Sequence, residues 1–283
     1  MAVPLIITND LEIAYDHNLE GQSFAIRRLL FDFEKMKIPC VFFSTLDALR
    51  MFKKELSDTN LDMLEIGCHG INHSVDENYK LLNRSAVEMN ISSFDGFAAS
   101  EFSIKPVCFR GPFMSTSSIT QEVLAESGYK ADFSVCSQRI DFFYSKGGDI
   151  RWLTAPRNTY RASRNNPYRR GGSGIIVVPL SCMLLPFNSG IMYLLGLEFM
   201  KSFFDSLMRE SVQSGKPIVY QFHSYEFSGF TGANTSKIPL LQKKYLDDRD
   251  ERYRMNLGLI KYMLSYGKSI IPMKGADYIK REL

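Results

Sequence analysis

Short apolar runs alternate along this chain with longer stretches in which apolar residues recur every three or four positions. The runs PLIITND (4–10), PCVFFST (39–45), MLEIGCH (63–69), PVCFRGP (106–112), ADFSV (131–135), GIIVVPL (174–180), PIVYQFH (217–223) and SIIPM (269–273) read as strands. Near-continuous apolar runs of this length suit strands buried on both faces. Segments 23–36, 79–94, 116–127, 198–211 and 250–267 read as amphipathic helices, with Gly128 and Gly267 placed as stops. This alternation predicts an α/β fold, a (β/α) barrel of seven or eight parallel strands. Neither a short repeat nor a low-complexity tract breaks the pattern, so residues 1–283 read as one domain.

Composition narrows the class. With 283 residues, 45% of them hydrophobic, the chain can bury a large core. A net charge of +3 is too mild for a surface that tracks phosphates, which argues against a nucleic-acid partner. The opening MAVPLIITND reaches an acid before a secretory apolar core is complete, and no apolar run has membrane-spanning length. The expectation is a cytoplasmic protein with no transmembrane segment. The five cysteines, an odd number without CxxC spacing, read as reduced, buried core residues.

In such a barrel, reactive groups project from the carboxyl ends of the strands. The polar residues there are consistent in kind: Asp10 and Glu12 after the first strand, His69 and His73 after the third, Arg110 on the fourth, Asp132 on the fifth, His223 on the seventh. If the strands are parallel neighbours, these groups share one rim. In HGINH (69–73), two imidazoles four apart would lie on one side of a helical turn. Asp10 and Glu12, two apart on an extended strand, point the same way. Two His nitrogens and one carboxylate form the open three-ligand set that hydrolytic zinc uses, leaving the other carboxylate free as a base. Each piece alone has a plainer reading: a solvated histidine pair, a turn carboxylate, a structural ion pair, a hydrogen-bonded core histidine. The conjunction in this order is what points to chemistry.

These pieces resemble the polysaccharide deacetylase family, the NodB-like carbohydrate esterases. TNDLE (8–12) looks like the family's first motif in its acid-x-acid variant, EIGCHGINHS (65–74) the second, FRGPF (109–113) the third, ADFS (131–134) the fourth and FHSYEF (222–227) the fifth. IIVVPLSCMLLPFNSG (175–190) is similar to a strand and loop of the branch with an aromatic-Glu-Phe fifth motif. The resemblance implies an irregular (β/α) barrel and a divalent metal, zinc first, with cobalt, nickel, manganese or ferrous iron suiting the same donors. It implies that Glu12, His69 and His73 bind the metal and that Asp10 is the base, although Glu at the second acid and Asn9 before the first leave those two roles exchangeable. It further implies that Arg110 holds the base, Asp132 orients His223, His223 is the general acid and the Phe113 N–H holds the oxyanion. The activity implied is removal of an N-acyl group, normally acetyl, from an amino sugar of a surface polysaccharide, a glycolipid or a lipid- or nucleotide-linked sugar. Competing readings are a hydrolase of formamides or other non-sugar amides, and an inactive carbohydrate-binding barrel.

Two segments bear on substrate. RNTYRASRNNPYRR (157–170) carries five arginines and no acid, which suits a phosphate-linked sugar, with Arg161 and Arg169 as anion forks and Tyr160 and Tyr168 stacking on the ring. The plain alternative is a solvated basic loop. LLPFNSGIMYLLGLEFMKSFF (184–204) reads as a loop and core-facing helix, or as a peripheral contact with the inner face of a membrane.

Overall fold

The computed structural model describes residues 2–14, 18–59, 62–140, 148–172, 174–229 and 248–282. In chain order its strands are β1 (Val3–Leu11), β2 (Cys40–Ser44), β3 (Leu64–Cys68), β4 (Cys108–Phe109), β5 (Ala131–Asp132), β6 (Tyr160–Ser163), β7 (Asn166–Arg170), β8 (Ile176–Val177), β9 (Cys182–Met183), β10 (Leu185–Pro186), β11 (Ile218–His223) and β12 (Ile270–Pro272). The helices are α1 (Leu19–Lys35), α2 (Leu46–Met51), α3 (Lys53–Ser57), α4 (Arg84–Phe102), α5 (Ser118–Glu126), α6 (Ser189–Leu195), α7 (Leu197–Ser214), α8 (Arg249–Leu264) and α9 (Gly275–Glu282).

The sheet runs β11-β1-β2-β3-β4-β5-β8-β6-β7, with β12 beside the start of β1. Every pairing from β11 to β8 is parallel, and so is β12 with β1. The expected (β/α) barrel is present as a curled, irregular half-barrel, in which β11, β1, β2, β3, β4, β5, β8 and β12 are the parallel strands. The ladders of β4, β5 and β8 are two residues long, shorter than their apolar runs, because the chain leaves the sheet early to build the rim.

Side chains alternate across each strand and divide the core in two. Leu5, Ile7 and Leu11 of β1 pack outward with Ala25, Ile26, Leu29 and Phe33 of α1. Ile6 packs inward with Val41, Phe43, Ala131, Val177 and Val219. Register then carries the inner row from apolar to polar: Ile6 pairs with Val219, Thr8 with Gln221 and Asp10 with His223. The inner face is thus oily at its base and ionisable at its carboxyl end. Gly67 lies on the same face of β3, two residues before His69; a Cβ there would stand 2.7 Å from the Phe43 ring, so only glycine fits.

Two expectations change. Segment 157–170 is the β6–β7 hairpin, not an open loop, and β6 pairs antiparallel to β8 through Tyr160↔Val177 and Arg161↔Ile176. That pairing turns the hairpin toward the amino ends of the parallel strands. The helix expected at 79–94 begins at Arg84, where the Asn83 side chain accepts from the Ala86 N–H, and ends at left-handed Ser103. The loop and core-facing helix expected at 184–204 are β10, α6 and the start of α7, with Phe187, Met192, Phe203 and Phe204 buried and Leu194, Leu195 and Phe199 exposed. None of the five cysteines is in a disulfide, and all are buried. No helix among the described residues is long and apolar enough to cross a membrane.

Candidate active site

Asp10, Glu12, His69, His73 and His223 meet at the carboxyl end of β1, β3 and β11. Asp10 Oδ2 lies 4.0 Å from His69 Nε2 and 4.0 Å from His223 Nε2. Glu12 Oε2 lies 3.3 Å from His73 Nδ1, and its Oε1 lies 3.7 Å from His223 Nε2. The His69 and His73 rings stand 5.3 Å apart. Glu12 follows the end of β1, and its backbone is fixed from α1: Gln22 Nε2 donates to Glu12 O at 2.5 Å while Gln22 Oε1 accepts from Ala14 N–H.

The two acids are held differently. Arg110, fully buried, donates from Nη1 to Asp10 Oδ1 at 2.5 Å and to Thr8 Oγ1 at 3.0 Å, with its guanidinium 4.3 Å over the Phe43 ring. Gln221 Nε2 donates to Asp10 Oδ2 at 2.5 Å. Burial alone would raise the Asp10 pKa, but the Arg110 charge, with the imidazoles of His69 and His223, outweighs it and holds the carboxyl at about 2. Among the described residues no arginine or lysine pairs with Glu12, and burial, reinforced by Asp10 and Glu226, pushes it up to about 7. Burial lowers His69 and brings His73 down to about 3, so both are neutral imidazoles, the form that binds metals.

HGINH is not a helical turn. Gly70 has φ +80° and His73 φ +59°, which break a helix, and residues 71–72 form a bend. Glu77 holds the loop instead: its carboxylate accepts from the N–H groups of Ile71, Asn72 and His73. His69 is oriented separately, with Nδ1 2.6 Å from Arg110 O. A Glu77→Ala protein should therefore bind a divalent metal about 10–100-fold more weakly, the usual cost of losing a group that orients ligands. Titration calorimetry checks this; unchanged affinity would leave Glu77 with no part in shaping the site.

Several sequence expectations are relocated. Asp132 does not reach His223. Its Oδ2 accepts from Thr116 Oγ1 at 2.7 Å and Gln121 Nε2 at 2.9 Å, and its Oδ1 from Ser134 N–H, so α5 and its lead-in take the carboxylate. The partner of His223 is Glu226, with Oε1 3.0 Å from His223 Nδ1. Phe113 has φ +58° and turns its N–H toward His73 Nε2 at 3.4 Å, a long contact that leaves it facing the pocket. Tyr160 and Tyr168 are buried, their hydroxyls donating to Pro167 O and Thr116 O, so neither ring face is open to a sugar. Arg161 and Arg169 are exposed on the hairpin, and the antiparallel pairing carries Arg161 away from the acids and histidines. Gln221, Gln22, Glu77 and Glu226 were not singled out from sequence. Of these, Gln221 had a signal, since it lies two residues before His223 on the same face of β11.

Glu12, His69 and His73 offer one ligand atom each, all within 4.8 Å of one another. A single ion with bonds of about 2 Å can draw these together with small side-chain shifts. The donor set fits as well: two neutral imidazoles and a buried carboxylate for which a cation would compensate.

No protein-family model and no curated protein sequence matches this chain. Solved structures do. A Mycobacterium smegmatis protein described as a polysaccharide deacetylase is similar with a TM-score of 0.66 at 12% identity, over 98% of this chain and 89% of that one. The PuuE allantoinase gives 0.63 at 14% identity, with the same 98% and 89% coverage. A CE4 family pseudoenzyme from Bacillus anthracis gives 0.51 at 9% identity, over 98% of this chain and 66% of that one. The chain has a NodB-like polysaccharide deacetylase fold. Likeness at these identities concerns the fold, and the reaction has to be argued from the side chains.

Proposed function

We propose that this protein is a metal-dependent amide hydrolase that removes an N-acyl group, acetyl in the first instance, from an amino sugar. The observation that carries the reading is the meeting of an arginine-held Asp10 with Glu12, His69, His73 and His223 in one pocket. Glu12, His69 and His73 would hold the ion, which when bound polarises the amide carbonyl and acidifies water. Asp10 is the base. Arg110 and Gln221 fix both its oxygens and keep it ionised, so it accepts a proton from the attacking water at Oδ2, the oxygen facing the histidines. The Phe113 N–H, which lies beside His73 at the pocket, would donate to the developing oxyanion.

An amine is a poor leaving group until it is protonated, and His223 suits that step. Burial opposes its charge, but the hydrogen bond and charge of Glu226, with Glu12 and Asp10, lift its pKa to about 9. It is the cation among three imidazoles, while the two neutral ones are the ligands. This division of roles argues against an inactive binding barrel.

Amide hydrolysis of this kind does not require a sugar, and an allantoinase shares the fold. The test offers the zinc-loaded protein N-acetylglucosamine oligomers, a formamide and allantoin in parallel. Acetate release from the oligomers supports the proposal. Turnover of a non-sugar amide alone would move the protein to the competing hydrolase class, and turnover of none would refute the enzyme reading.

A further inference from the structure

We propose that Glu226, clamped by the hydroxyls of Ser189 and Tyr193, is the positioning residue that fixes His223 with Nε2 toward the reacting groups. The inference deepens the hydrolase reading and rests on it for its catalytic meaning. Its geometric content stands on the structure alone.

The clamp is buried, and both oxygens of its carboxylate are engaged. Glu226 is 7% exposed, Ser189 0% and Tyr193 8%. Ser189 Oγ donates to Glu226 Oε1 at 2.8 Å, and Tyr193 OH donates to Oε2 at 3.0 Å. The remaining contact on Oε1 is His223 Nδ1 at 3.0 Å. A carboxylate only accepts, so Nδ1 must carry a proton, which leaves Nε2 as the ring atom that faces Asp10 and Glu12. Burial and the Glu226 charge push the Tyr193 phenol well above its ordinary range, so it stays a donor.

Backbone geometry makes clamp and strand one piece. Glu226 lies three residues past His223 in the tight turn Ser224–Phe227 that ends β11. Ser189 and Tyr193 are four apart on α6 and share one face. The Asn188 side chain caps that helix, and the preceding Phe187 O accepts from Gln221 N–H of β11. The apolar segment 184–204 therefore supplies two hydroxyls that hold the partner of the acid. Asp132, the carboxylate expected in this role, is consumed by Thr116, Gln121 and Ser134.

Proton delivery matters for an amine and little for a phenolate, so the leaving group separates positioning from general damage. With zinc-loaded protein, Glu226→Gln should lower kcat on N-acetylglucosamine oligomers by about 100-fold with KM changed less than about threefold. On para-nitrophenyl acetate, kcat should fall less than about threefold. Tyr193→Phe should show the same selective loss, smaller in size, and covers the case in which Glu226→Gln folds poorly. Equal losses on both substrates, or none, would overturn the proposal. A second arm needs no turnover. Nitrogen-edited proton spectra should show a downfield His223 Nδ1–H signal that disappears in Glu226→Gln and persists in Asp132→Asn. Its absence from the parent protein, or persistence in Glu226→Gln, would overturn the clamp. The signal behaving as stated in a protein inert on both substrates would instead overturn the hydrolase reading and leave the clamp standing.

Discussion

An Asp10→Asn protein is expected to lose about 1,000-fold in kcat on its amide substrate and roughly 3 kcal/mol of stability, for two separable reasons. The first is chemical: an amide cannot take a proton from water, and positioned bases contribute about 10²–10⁴ in rate. The second is electrostatic. Arg110 is fully buried and faces Asp10 at 2.5 Å, so neutralising the acid leaves an uncompensated charge in the interior, typically about 3–5 kcal/mol. Gln221 limits the damage, because turning its amide over presents oxygen to the new Asn nitrogen. Adding Arg110→Met should recover most of the stability, since replacing a buried ion pair whole is often neutral. It should recover none of the activity. Thermal melts and rates of the single and double variants test this; a double variant that regains turnover would remove Asp10 from the base role.

The inner-face residues were legible because two simple rules converge on them. Period-two alternation puts Thr8 and Asp10 on the face of Ile6, and parallel register sets His223 beside Asp10, so a strand end in the sequence is a pocket wall in the fold. Those rules say at which end of the barrel a side chain emerges. They do not say what it touches. Asp132 emerges at the right end, yet α5 passes over it and supplies Gln121, which the strand pattern cannot anticipate. Glu226 lies within FHSYEF, but its contact with His223 depends on the turn Ser224–Phe227 closing at three residues. HGINH was legible in composition and not in conformation: the carboxylate that shapes it, Glu77, comes from the loop beyond and acts on backbone N–H groups, which leave no periodic trace. The arginines at 157–170 formed a charge pattern without an address, and pairing with β8 decided where it went.

Glu12 gives the largest test of the metal site, because a ligand carboxylate and a structural one respond to removal with opposite sign. In the metal-free protein its pKa is raised from 4.5 to about 7, so the folded state binds a proton that the unfolded state has lost. Stability of the metal-free protein should therefore fall as pH climbs from about 4.5 to about 7, and above that window the ionised carboxylate costs roughly 3 kcal/mol. Glu12→Gln should abolish that decline and raise the melting temperature of the metal-free protein at pH 8. The same substitution should remove the stabilisation that added zinc gives the parent, which at a hundredfold excess over Kd is about 2.7 kcal/mol. His69→Ala and His73→Ala should likewise take bound metal from about one ion per chain to none and activity to background. They should not show the metal-free gain, because both imidazoles are already neutral there. Elemental analysis and melting curves with and without chelator decide the matter. A Glu12→Gln protein that keeps its zinc, or is destabilised without it, would mean that the cation does not sit on this carboxylate.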